Sequence, residues 1–157
     1  MQRSIDDWLA EYSVSHQHKT NKFIHWFAVP GIYWSILALL WVLPTPGLFA
    51  HSVWLNWSTL TLVIVVGFYL RLSVPLTLGM TVLTFICYGI TVTIEAGLGQ
   101  AGLLTTAVSV FVVLWIGQFI GHHVEGKRPS FFQDIQFLMI GPAWIMAFLF
   151  KKLGWRY

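Results

Sequence analysis

Residues 23–43 read FIHWFAVPGIYWSILALLWVL, 21 residues without an acidic or basic side chain. As a helix this stretch would rise about 30 Å, the thickness of a bilayer's hydrocarbon core, which about 20 apolar residues suffice to cross. It opens a longer interval, since Lys22 and Arg71 enclose 48 uncharged residues. Pro44-Thr45-Pro46-Gly47 divides that interval with a turn. Downstream, Arg71 to Glu95 encloses 23 uncharged residues, Glu95 to Glu125 encloses 29, and Asp134 to Lys151 encloses 16. These gaps predict spans near 23–43, 53–72, 75–95 and 102–121, after a polar N-terminal segment, 1–22.

Composition excludes the soluble alternatives. Charged residues are 10% of the chain and hydrophobic residues 57%, against about 25% charged in an ordinary soluble domain. So few charges cannot cover a soluble globule, and so apolar a chain does not stay disordered. Cys87 is the single cysteine, so neither an internal disulfide nor a structural zinc cluster is available. The expected class is all-α: a polytopic membrane helix bundle forming one integral-membrane domain over 1–157. Residues 1–20 carry Asp6, Asp7 and Glu11 and do not read as a removable signal peptide.

The last segment, about 131–150, is expected to be broken or re-entrant. Ser130 and Gln133 form a capping-box pattern after Pro129, Asp134 and Gln136 polarise the first turn, and Gly141-Pro142 interrupts the run. Lys and Arg collect on the cytoplasmic side of short loops. Four spans and a returning segment put all nine basic residues on one face, with both termini cytoplasmic. A bacterial inner membrane is the expected location, or the endoplasmic reticulum in a eukaryote. Trp26, Trp41, Trp54 and Trp57 fall at span ends, as interfacial aromatics do. The net charge of +3 follows from topology and implies no nucleic-acid partner.

Histidines carry the remaining information. His16, His18 and His25 precede or begin the first span, and His122 and His123 end the fourth, so the two groups meet on one face, while His51 lies on the other. Asn21-x3-His25 and Gln118-x3-His122 each set an amide one helical turn from an imidazole, where it can anchor the second ring nitrogen of a metal ligand. Glu125 follows His122 by three residues, and Gly117-x3-Gly121 allows a close helix approach. Spacing alone leaves two readings open: a metal site, or histidines bonded to headgroups and backbone. It likewise leaves Lys127 and Arg128 as topogenic charges or as partners for a ligand carboxylate.

Two stretches add a resemblance. Tyr12-x3-His16-x4-Asn21-x3-His25-x4-Pro30 resembles the N-terminal motif of a membrane family of iron(II)-dependent 2-hydroxy fatty acid dioxygenases. The run from Trp115 to Pro129, WIGQFIGHHVEGKRP, is similar to that family's second signature in its bacterial form. The resemblance implies His16, His25 and His122 as catalytic iron(II) ligands, with Asn21, Gln118 and Glu125 beside them. A fourth ligand from His18, His123 or Glu125 stays open. The implied reaction is α-oxidation, in which a 2-hydroxy fatty acid and dioxygen give a fatty acid one carbon shorter. The alternatives are a non-catalytic membrane protein or a haem-binding electron carrier that uses the same histidines.

Overall fold

A computed structural model describes residues 3–49, 52, 54–128 and 137–157. The described residues are helical, without strands. Helix α1 is Ile5–Val14, α2 is Lys19–Trp41, α3 is Trp57–Leu70, α4 is Val74–Glu125 and α5 is Phe137–Lys152, with a 3-10 turn at Gly47–Phe49. Pro129, Ser130, Gln133, Asp134 and Gln136, on which the expected start of the last segment rests, lie outside the described residues, as does His51.

The polar N-terminal segment holds a helix that hydropathy alone does not reveal. Ser4 caps α1 and pairs reciprocally with Asp7, and Asp6 and Asp7 favour the helix N-terminus. Ile5, Trp8, Leu9 and Tyr12 recur on one face and pack on Phe137, Ile140, Ala147 and Phe150 of α5. The helix is therefore amphipathic and rests on the bundle.

Among the described residues two helices, α2 and α4, are long and apolar enough to cross a membrane, where the sequence predicts four spans. Part of the difference lies in α3. Asn56 caps it in a reciprocal pair with Thr59, and its 14 residues rise about 21 Å, short of a hydrocarbon core of about 30 Å. The rest lies in α4, whose 52 residues pass through Gly99 at φ 70°, ψ 176°. That backbone region is open essentially to glycine alone.

Contacts with α2 show what the break does. Tyr33 bonds Thr84, Trp34 bonds Thr91 and Trp41 bonds Glu95, so the arm 74–98 runs parallel to α2. Gln100 bonds the Val42 carbonyl, Leu114 packs on Gly31 and Gly121 sits against Asn21, so the arm 100–125 runs back. The expected loop 96–101 is thus a fold-back at one residue. Only 17% of the apolar window of α4 is buried, whereas the core helix of a soluble protein is mostly buried. Phe27, Val63, Val82 and Val113 are likewise exposed. This exterior is compatible with a lipid environment.

Helix α5 covers one end of the bundle. Gly79 meets its Met146 and Phe150, Tyr69 of α3 donates to the Met139 carbonyl, and Trp26 of α2 packs on Phe148. The expected interruption at Gly141-Pro142 does not occur, for α5 continues through it. Proline removes one helical hydrogen bond. Burial of Gly141, Pro142 and Ala143 offsets it, with the Gly141 backbone drawn close to the Tyr12 hydroxyl and Val29.

Candidate metal centre

Three imidazoles converge under α5. His16 comes from the linker between α1 and α2, His25 from α2 and His122 from the last turn of α4. They are 1%, 0% and 3% exposed. Their ring centroids are separated by 4.4 Å (His16–His25), 4.9 Å (His25–His122) and 5.0 Å (His16–His122). One nitrogen from each lies within 4.8 Å of the other two, close enough to share a metal ion.

Local structure sets the ring orientations. Helix α1 stops at Val14, so its last carbonyls have no helical partner. The Tyr12 carbonyl accepts from His16 Nδ1 at 2.6 Å, and Tyr12 stacks on the same imidazole with centroids 4.1 Å apart. His25 Nδ1 donates to the Asn21 carbonyl at 2.9 Å. Both contacts place the ring proton on Nδ1 and leave an Nε2 lone pair. His16 Nε2, His25 Nε2 and His122 Nδ1 are buried without a hydrogen-bond partner. Burial pushes the His16 imidazole down to about 4, against the pull of the Tyr12 carbonyl, so the ring is neutral at physiological pH. Three clustered imidazoles, each with a buried, unpartnered nitrogen, fit a divalent transition metal and leave coordination positions for other ligands.

Glu125 organises the linker. Its Oε1 accepts from the Gln17 N–H at 2.8 Å, and its Oε2 accepts from the His18 N–H at 2.7 Å and from Asn21 Nδ2 at 3.1 Å. Asn21 Nδ2 also donates to the Ser15 carbonyl at 3.0 Å. Asn21 Oδ1 is buried and presses on Gly121, where an added Cβ would come within 2.5 Å. Close approach is therefore needed at Gly121, while a Cβ on Gly117 would meet Ile24 at an ordinary 3.7 Å.

The remaining candidates are dispersed. His18 is exposed and caps α2, its Nδ1 accepting from the Thr20 N–H at 3.2 Å. His123 is exposed. Lys127 is exposed and donates to the Val14 carbonyl at 2.8 Å, while Arg128 is exposed beside it. Gln118 is buried and lines, with Tyr12, His16 and His122, a largely apolar cavity of about 100 Å³. Val29, Ile32, Tyr33, Met139 and Pro142 form part of its wall.

Sequence spacing links Asn21 to His25, but the anchoring group is the Asn21 carbonyl, and the side-chain amide serves the linker. Trp144, whose ring lies 5.7 Å from His16 and whose Nε1 donates to Ser13 Oγ at 2.9 Å, carries no local signal. The i,i+4 relation of Tyr12 to His16 is the one cue that could have indicated carbonyl anchoring.

A helical fold with an apolar exterior is compatible with a membrane setting, and its three buried histidines, two of them lining an apolar cavity, are close enough to share a metal ion. The chain belongs to the family described as 2-hydroxy-palmitic acid dioxygenase Mpo1-like, whose model matches residues 2–153. Comparison with curated proteins and with solved structures gives no match.

Proposed function

We propose that this chain is a membrane-embedded, iron(II)-dependent dioxygenase that cleaves 2-hydroxy fatty acids between C1 and C2. The carrying observation is the set of three unpartnered nitrogens on the clustered His16, His25 and His122, two of which, His16 and His122, line an apolar cavity. Membership of a family described as 2-hydroxy-palmitic acid dioxygenase-like supports this substrate class and the use of dioxygen. The overall reaction, R–CH(OH)–COOH + O2 → R–COOH + CO2 + H2O, balances without another reductant. Iron(II) held by the three imidazoles would supply the redox centre for dioxygen and a chelation point for the α-hydroxycarboxylate.

The protein's own groups do the rest. Tyr12 and Asn21 hold the imidazoles through their carbonyls, and Glu125 and Asn21 hold the linker that carries His16. Gln118 lines the same cavity as His16 and His122 and is suited to orienting carboxylate and hydroxyl oxygens. Lys127 and Arg128 add positive charge near the linker and favour approach of a carboxylate. Glu125, with both oxygens occupied, is a linker clamp in this reading, and exposed His18 and His123 are outside the ligand set. A haem-binding role is disfavoured, because rings 4.9 Å apart with a third imidazole beside them leave no room for a macrocycle.

For topology, we propose that α2, α3 and the two arms of α4 make four crossings, the bilayer thinning locally to meet the short α3, and that α5 returns along the cytoplasmic face. Support comes from the fold-back at Gly99. It comes also from the basic residues, with Lys19 and Lys22 at the start of α2, Arg71 after α3, Lys127 and Arg128 after α4, and Lys151 and Lys152 ending α5. Both termini are then cytoplasmic, in the inner membrane of a bacterium.

The test is metal analysis of anaerobically purified protein, followed by oxygen uptake and product analysis with 2-hydroxy fatty acids. Stoichiometric iron and an acid one carbon shorter are expected. Iron retained in a His25→Ala, His122→Ala double variant would overturn the site, and iron without turnover would overturn the substrate.

A further inference from the structure

The cavity at the histidines is too small for the molecule it would serve. At about 100 Å³ it falls below the roughly 300–1,000 Å³ of sites that enclose a drug-sized ligand. It has room for a head group and not for a long alkyl chain. Three of its wall residues, Ile36, Leu138 and (from α4) Trp115, also line a second space. This neighbour is a groove of about 420 Å³ between α2 and the returning arm of α4, lined only by aliphatic and aromatic residues. Its far end is formed by Leu43 and Leu104, which are 47% and 44% exposed, so it opens sideways out of the bundle.

Resting on the function proposed above, we infer that this groove is the tail site. The head lies at the histidines, and the alkyl chain leaves past Ile36, Trp115 and Leu138 and lies toward Leu43 and Leu104. Length is the second argument. At about 1.5 Å per residue, α2 rises about 16 Å from His25 to Ile36 and about 24 Å to its end at Trp41, just before Leu43. An acyl chain that fills one leaflet reaches about 15 Å, half of a hydrocarbon core of about 30 Å. A membrane-length chain anchored at the histidines therefore ends at about the level of Ile36, where the groove begins. The occupant is a single-chain 2-hydroxy acid entering laterally from the bilayer, and Ile36, at the neck, sets which chain lengths are accepted.

Two measurements test this. The first uses 2-hydroxy fatty acid with a diazirine near its methyl end, in phosphatidylcholine nanodiscs, with adducts mapped by mass spectrometry. Labels are expected within residues 36–43 and 104–115, and excess 2-hydroxypalmitic acid should remove them. Labels confined to other lipid-facing residues such as Phe23 or Val63, or labels that the competitor leaves in place, would overturn the route. The second is Ile36→Trp, which narrows the neck. Bound iron should be unchanged, kcat/KM for a long-chain acid should fall tenfold or more, and an eight-carbon acid should be affected less than threefold. An equal loss for both lengths would overturn the proposal. Leu104→Trp, at the open end, should penalise only the longest chains. Groove labelling without turnover of any hydroxy acid would keep the route and refute the reaction. Turnover with labels elsewhere would do the reverse.

Discussion

Removing Glu125 separates a clamp from a metal ligand. Its carboxylate joins the end of α4 to the linker through the N–H groups of Gln17 and His18 and the amide of Asn21. A hydrogen bond to a charged group contributes about 1.5–3 kcal/mol when buried. Two of these three are exposed, and in a Glu125→Ala variant water can take their place, so the net loss is about 2–3 kcal/mol rather than the sum. That loss falls on docking of the linker, which carries His16. If docking and metal binding are coupled, the metal affinity should drop about 10–100-fold, the range typical of groups that support a ligand. His25 and His122, on helices, stay in place. Chelator competition measures the affinity, and hydrogen exchange at Gln17 and His18 measures the opening. Glu125→Ala should bind iron weakly with both amides unprotected, and Glu125→Gln, which keeps the acceptor and loses the charge, should lie between. Unchanged affinity with unchanged protection would refute the clamp. A loss of metal as complete as that in His25→Ala would make Glu125 a ligand.

Three further outcomes follow from the same geometry. Gly121→Ala drives a methyl against Asn21 Oδ1, whose amide donors are already committed. It should cost about 1–3 kcal/mol and lower the melting temperature in detergent, with Gly117→Ala close to wild type; equal effects would contradict the packing. His18→Ala and His123→Ala should each retain stoichiometric iron, and His18→Ala should lose about 1 kcal/mol as the α2 cap disappears; loss of metal from either would enlarge the ligand set. In metal-free protein His16 titrates near 4 when folded and near ~6.5 when unfolded. The unfolded chain therefore takes up the proton first as pH falls. The stability held by neutral His16 is full above about pH 6.5 and lost on the way to about pH 4, a difference of about 3 kcal/mol. Thermal melts across that range should show a slope that His16→Gln flattens, and identical slopes would refute the burial argument.

How much could be read beforehand depends on the range of the interactions. The first span is legible at 23–43 against an observed α2 of 19–41 because a charge-free run is a local property. The extra turn comes from the His18 cap, which hydropathy does not register. Helix α1 is hidden because its apolar stripe is only Ile5, Trp8, Leu9 and Tyr12 within a polar segment and gains meaning only against α5. The continuity of α5 through Pro142 depends on burial against Tyr12 and Val29, residues more than a hundred positions away. The three histidines that come together are visible as span-end residues of two distant motifs. Which nitrogen each offers is not, because that depends on where α1 runs out of helical partners. The cavity and groove are tertiary throughout: no periodicity distinguishes Ile36 or Trp115 from their lipid-facing neighbours.

The distribution of satisfied and unsatisfied polar atoms bears on whether the cluster exists to be filled. Polar groups in the linker are matched, with the neighbouring Asn21 Oδ1 a buried exception: Tyr12, Val14 and Ser15 carbonyls accept from His16, Lys127 and Asn21, and Glu125 gathers three donors. Against that background His16 Nε2, His25 Nε2 and His122 Nδ1 are buried and unpartnered, on three imidazoles that each bring a nitrogen within 4.8 Å of the others. Each such atom costs about 1–3 kcal/mol relative to a bonded one, and a folded domain is stable by only about 5–15 kcal/mol. Three adjacent lone pairs therefore use up a substantial share of that margin and also repel one another. A cation shared among them turns all three from unsatisfied acceptors into ligands at once, and it binds the folded state alone, so it stabilises by mass action. Iron-loaded protein should consequently melt above the chelated form, and that increment should vanish in His25→Ala, where the shared ligand set is broken. An equal increment in the variant would place the metal elsewhere and leave the three nitrogens unexplained.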